Sequence, residues 1–150
     1  MSGPFKNSGI HVQEYVYDFA VDGGAQGEIF LSSKDGVDPV PNGAIIQSVT
    51  AQVLTTFTSG GSATLAWGND DDPDGYSGTA IAVASLTANT VFNGWDNGAV
   101  LLWDDTNDHQ IPVPVVNEDD GEVSVTIATA DMTAGKMVIL VQYLYPKETA

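Results

Sequence analysis

Residues 44–68 read AIIQSVTAQVLTTFTSGGSATLAWG, a long alternation of apolar and polar positions. Ile45, Val49, Ala51, Val53 and Phe57 fall on one face, with Gln47 the exception, and Ser48, Thr50, Gln52 and Thr56 fall mostly on the other. A period of two is the signature of a half-buried strand. Ser59-Gly60-Gly61-Ser62 supplies residues that tolerate positive φ, so the segment predicts one long β-hairpin. A hairpin is marginal by itself in water and must lay its apolar face on another sheet. Fully extended, residues 44–58 would span about 50 Å at ~3.3 Å per residue, which exceeds the usual strand. A bend or bulge is therefore expected there, passing the strand from one sheet to the other.

The same reading organises the rest of the chain. Residues 10–21 set Tyr15, Tyr17, Phe19 and Val21 against Glu14 and Asp18, which predicts a strand. Residues 22–27 turn the chain and residues 28–32 return as a short strand. Residues 34–43 carry two prolines and two glycines and read as loop. Residues 68–78 form an acidic loop. The alanines of residues 79–86 favour a short helix over the strand that Ile81 and Val83 suggest. Residues 98–103 and 110–116 read as strands, the second demoted to an edge by Pro112 and Pro114. Residues 121–130 and 136–145 predict a second hairpin around residues 131–135. Its last strand is apolar on both faces, so it should lie centrally or be covered by another subunit. Residues 84–89 (ASLTAN) and 130–135 (ADMTAG) echo each other as a repeated turn, without a solenoid period. About eight short strands with Gly-, Asn- and Asp-rich connections and little helix predict an all-β fold, an antiparallel β-sandwich of jelly-roll type. A closed barrel is the competing architecture. The expected organisation is an N-terminal arm at residues 1–9, a single β-sandwich domain at residues 10–146 and a C-terminal tail at residues 147–150.

Composition narrows the function. The chain has 150 residues, four lysines, no arginine and twenty acids, for a formal net charge of −16. Without arginine there is no bidentate fork for phosphate, and Lys6, Lys34, Lys136 and Lys147 are scattered, so nucleic-acid binding is rejected. With no cysteine, disulfides, thiolate zinc sites and a cysteine nucleophile are excluded. No apolar run approaches the roughly 20 residues of a membrane-spanning helix, and the first nine residues lack the apolar core of a secretory signal. No membrane partner is expected. Aspartate outnumbers glutamate fifteen to five and concentrates beside Gly and Asn. That is turn chemistry first. It also suits a particle surface that must repel its neighbours and other polyanions.

The candidate chemistry is sparse. Asp70, Asp72, Asp74 and Gly75 match the first half of a calcium-loop pattern, in which oxygen ligands two residues apart converge on a hard cation. The match then fails, because Ile81 stands where a bidentate Glu is needed and Pro73 stiffens the turn. A solvated acidic loop is the simpler reading; the sharper one is calcium held weakly at Asp70, Asp72 and Asp74, with water completing the shell. No other cofactor is expected. Asp104, Asp105, Asp108 and His109 follow Trp103 and read as turn decoration rather than a metal or acid–base site. Glu118-Asp119-Asp120-Gly121 reads as a hairpin loop. His11 lies within a strand pattern without a nucleophile beside it, and no G-x-S-x-G elbow is present. No catalytic residue is assigned, and an enzyme is not expected. Trp67, Trp95 and Trp103 read as half-buried anchors.

Four phrases carry a resemblance: EYVYDFAVDGGAQGEIFL, PNGAIIQSVTAQVLTTFTSGGSATLAWG, AVASLTAN and VSVTIATADMTAGKMVILVQYLYP. In this order, an aromatic first strand, a strand after N-G-A-I-I, a T-S-G-G-S-A-T turn and a closing T-A-G-K strand, the chain resembles small β-rich virion proteins of tailed bacteriophages. The resemblance runs from Tyr15 to Pro146. It implies a capsid decoration (cement) protein, a jelly-roll on the outer surface of the head whose partners are the major capsid protein and copies of itself, as dimer or trimer. The acids of residues 70–76 and 95–109 exceed what the group leads one to expect. The alternative is a jelly-roll module of a tail or head fibre that binds glycan through Trp95, Trp103 and the acidic loops.

Overall fold

A computed structural model describes residues 9–32, 34–93, 115–117 and 122–144. Nine strands appear there: β1 (Ile10–Asp18), β2 (Gly27–Phe30), β3 (Ile45–Ser59), β4 (Thr64–Asn69), β5 (Ile81–Ala82), β6 (Val91–Asn93), β7 (Val115–Val116), β8 (Val123–Ala128) and β9 (Met132–Leu144). One short helix, α1 (Phe19–Asp22), joins β1 to β2. The first sheet has the order β1-β9-β3-β6, with β7 also paired to β3; the second has the order β2-β8-β4-β5. Every pairing is antiparallel. The two orders correspond place by place, β1 with β2, β9 with β8, β3 with β4 and β6 with β5. Such wrapping of chain neighbours into opposite sheets is the jelly-roll sandwich that the patterning predicts.

Both predicted hairpins are corners between the sheets instead. β3 pairs with β9 in the first sheet, and β4 pairs with β8 in the second. The two corner units therefore interlock, each strand finding its hydrogen bonds on the other unit. The corners touch directly. Ser59 Oγ donates to the Asp131 carbonyl at 2.7 Å, and the Thr58 and Thr133 hydroxyls lie 2.7 Å apart. The β1–β2 connection joins them: Met132 N donates to the Gly24 carbonyl at 2.8 Å and Gln26 N to Asp131 Oδ1 at 3.1 Å. Thr129, at φ 74, makes the reverse corner into β9. Gly24 is needed here, because a Cβ would stand 2.1 Å from the Met132 carbonyl oxygen.

The irregularity expected in the long strand is present. Pairing of β3 with β9 slips between Ile46 and Ser48, Val53 and Thr55, Thr55 and Thr58, and Thr58 and Ser59. β3 nevertheless stays in the first sheet throughout, and the crossing falls after Ser59. The first slip shifts the parity of the strand, so Ile46 rather than Ile45 enters the core and Gln47 ceases to be an exception. Inward residues Tyr15, Tyr17, Val49, Ala51, Val53, Phe57, Met137, Ile139 and Val141 of the first sheet meet Leu65, Trp67, Val123, Val125 and Ile127 of the second. Two buried phenols are satisfied: Tyr15 Oη donates to the Asp38 carbonyl and Tyr17 Oη to the Gly23 carbonyl, each at 2.7 Å.

Three local expectations need correction. The first strand stops at Asp18, whose carboxylate accepts from Ala20 N at 3.0 Å and caps α1. The alternation ends with it, and Val21, expected on the buried side, is exposed. β2 occupies Gly27–Phe30 rather than residues 28–32. Residues 79–86 hold a two-residue strand and a 3-10 turn (Val83–Ser85) instead of an α-helix. Buried Ile81 and Leu86 anchor the two ends of that stretch, and Val83 N donates to the Ala63 carbonyl at 2.9 Å. Tertiary pairing of Leu65 with Ile81 outweighs the helix propensity of three alanines.

Candidate docking surface and the acidic loop

With Tyr15 and Tyr17 of β1 and the odd-numbered residues from 135 to 143 of β9 turned to the core, the even-numbered residues of β1 and those from 136 to 144 of β9 line the outer face of the first sheet. Register assembles them into rows. Ile10, Leu144, Ile45 and Val116 form one; Val16, Val138, Gln52 and Val91 form another. Between them stand Val12, Gln142 and Ser48, then Glu14, Leu140, Thr50 and Asn93. Ile10, Val12, Val91 and Val116 are 66%, 58%, 52% and 52% exposed. Single exposed aliphatics are ordinary, but four large ones on a shared face with half-buried Val16, Leu140 and Leu144 make a contiguous apolar surface. Part of this was legible, since β9 is apolar on both faces and lies centrally between β1 and β3. The contribution of β1 was hidden by Glu14 and Asp18, which share its outer side with Ile10, Val12 and Val16.

Charge is segregated away from this surface. Of the acids among the described residues, Glu14 and Asp18 alone stand on it, and Asp18 lies 3.7 Å from Lys136 in a solvent-exposed ion pair. The other described acids belong to the corners, the loops and the second sheet. Lys34 is drawn in among them. Its Nζ donates to Asp22 Oδ2 at 2.7 Å and to the Val16 carbonyl at 2.9 Å, while Asp22 Oδ2 also accepts from Asp18 N at 2.8 Å. Val16 O and Asp18 N lie on the side of β1 away from β9, so this ion pair covers that half of a sheet edge.

The acidic loop is shaped by an amide. Asn69, buried at the end of β4, accepts through Oδ1 from Asp71 N at 3.1 Å and Asp72 N at 2.8 Å. Its own N–H donates to the Asp72 carbonyl at 3.1 Å, which also receives Gly75 N at 3.0 Å. The loop folds tightly over Gly68, where a Cβ would stand 2.1 Å from the Asp72 carbonyl oxygen. Tyr76 then plunges into the core, where burial above all, then Tyr15 and Asp72, raises its pKa. Asp70 and Asp74 are exposed and Asp72 is half-buried. Among the described residues, no group of three or more His, Asp or Glu side chains is arranged to hold a metal ion. His11 stacks on Tyr143, ring centroids 5.3 Å apart. Trp67 is a core residue with its ring edge-on to Phe92. Trp95, Trp103, Asp104, Asp105, Asp108, His109 and the 118–121 turn lie outside the described residues, as do the expected strand at residues 98–103, residues 110–114 of the expected edge strand, residues 1–8 of the expected arm and the tail.

No family model matches the chain, and no curated protein matches it. Solved structures do. A chain of the cyanophage Pam1 capsid asymmetric unit is similar over 97% of this chain and 91% of its own length, with a TM-score of 0.56 and 18% identity. A chain in the acidic stable capsid structure of Helicobacter pylori bacteriophage KHP30 is similar over 94% of this chain and 91% of its own, with a TM-score of 0.56 and 13% identity. At these identities the likeness is one of fold. It extends over nearly the full length of both partners in each comparison.

Proposed function

We propose that this chain is a structural virion protein of a tailed bacteriophage, a decoration protein that binds the outside of the head and stabilises the shell. The observation that carries the reading is the near-full-length likeness of its jelly-roll to chains within two phage capsid structures. Coverage of 91% on their side means that the matched chains are about as long as this one, so the shared unit is the whole sandwich rather than a module within a large shell protein. The physics supports it. A decoration protein needs a rigid sandwich and self-complementary or shell-complementary surfaces. Many modest contacts repeated over a shell add up through avidity. A net charge of −16 keeps finished particles apart and repels stray nucleic acid.

Cryo-electron microscopy of purified virions, with mass spectrometry of their proteins, tests the reading. The expected result is density for this sandwich on the outer head surface, in copy numbers of hundreds per particle. Copies in single digits or dozens, confined to the tail, overturn it in favour of a fibre module, for which a glycan array is the next measurement.

A further inference from the structure

We infer that the outer face of the first sheet is where a second copy of this chain docks, face to face about a two-fold axis. The inference rests on the virion reading, of which it names one contact. Size is the first argument. Nine residues of β1 paired with β9, with β3 beside them and β6 and β7 adding a fourth strand over three and two residues, give a face of roughly 30 Å by 15–20 Å at ~3.3 Å per residue and ~4.8 Å per strand. Flat, this is about two-thirds of the ~800 Å² per partner of a standard interface, and side-chain relief adds to it.

Charge is the second argument, and it selects the occupant. Two copies that each carry −16 repel one another through any acidic surface. The face bearing Ile10, Val12, Val16, Val91, Val138 and Leu140 is where acids are fewest. Among its polar members, which also include Glu14 and Asn93, Ser48, Thr50, Gln52 and Gln142 can both donate and accept hydrogen bonds, so they suit their own two-fold mates. A basic shell surface would instead find its complement at the acidic corners and loops.

The test is sedimentation-velocity ultracentrifugation at about 1–100 µM chain, with V12K/V91K as the perturbation and V21K as the control. Both lysine substitutions lower the net negative charge, so general repulsion cannot account for dissociation. The wild type and V21K, whose Val21 is 70% exposed and away from the face, are expected to sediment as two chains. V12K/V91K is expected to sediment as one chain with an unchanged circular-dichroism spectrum. A monomeric or trimeric wild type, or a V12K/V91K dimer, overturns the inference. The chain lacks cysteine, so single-cysteine variants give a readout that adds no charge to the face. Val12→Cys and Val91→Cys should react with maleimide at least tenfold more slowly in the dimer than Val21→Cys; equal rates overturn it. Binding to capsids is measured separately. Capsid binding by a monomeric wild type sinks the two-fold contact and leaves the virion reading standing, whereas a dimer absent from virions does the reverse.

Discussion

Gly135→Ala should destabilise this protein through one neighbour, Phe57, and through its own backbone. Gly135 sits in β9 at φ +139, opposite the stretch of β3 where the register slips between Thr55 and Thr58. A Cβ there would lie 2.3, 2.4 and 2.7 Å from Cδ1, Cγ and Cε1 of Phe57. These distances are well inside van der Waals contact, and the atoms include the root of the ring, so rotating the ring cannot clear them. Phe57 is buried and stacked on Tyr17 with centroids 5.7 Å apart, so moving it disturbs a second core aromatic. Overpacking of a close-packed core costs roughly 1–3 kcal/mol, and a non-glycine residue at this φ adds about 1–2 kcal/mol. Together the variant should lose about 2–5 kcal/mol, roughly 5–15 °C in Tm for a domain of this length. Urea unfolding of wild type, Gly135→Ala, Phe57→Ala and the double variant closes a cycle. Phe57→Ala alone should cost roughly 3–5 kcal/mol. In the Phe57→Ala background Gly135→Ala should cost only the backbone share, so the coupling should favour the double variant by at least about 1 kcal/mol. Additive costs would refute the contact as the cause.

Asn117 is buried beside β7, and its Nδ2 donates to the carbonyls of Val40 and Pro41 at 2.9 and 3.0 Å. Asn117→Ala strands both acceptors and should cost roughly 2–3 kcal/mol by urea denaturation. Stability should fall in alkali. Burial first, then Asp22 and Asp18, pushes the Tyr17 phenol up from 10.0 to about 12, and burial also raises Tyr15 and Tyr76. Below pH 10 both states keep the proton and the stabilisation is complete. Between pH 10 and about 12 the unfolded chain loses a proton that the folded phenol keeps. Each such tyrosine then removes up to about 1.4 kcal/mol per pH unit. Tyr17→Phe should flatten the urea midpoint against pH between 10 and 11; an unchanged slope would exclude Tyr17. With Asn69 and backbone groups closing the acidic loop, calorimetric titration with calcium to millimolar concentration should give no heat. Heat that vanishes in Asp72→Ala would assign the loop a cation.

The alternation along residues 10–18, 45–57 and 137–143 determined that these segments are strands, and their apolar sides determined that two sheets must press together. That much follows from a period of two and the cost of leaving such faces in water. The chain's charge and lack of arginine set the surface chemistry in the same local way. Which strands pair was decided only in three dimensions. Ser59-Gly60-Gly61-Ser62 permits a hairpin or a corner equally well, and in the fold β3 pairs with β9 and β4 with β8, which sets the apolar faces of the two strands against each other across the core. A bulge was expected from the length of β3 and Gln47 broke its alternation, but which of Ile45 and Ile46 turns inward was decided by the register of β3 on β9. The docking face arose in the same way, since Ile10, Leu144, Ile45 and Val116 are distant in the chain and become one row only through register.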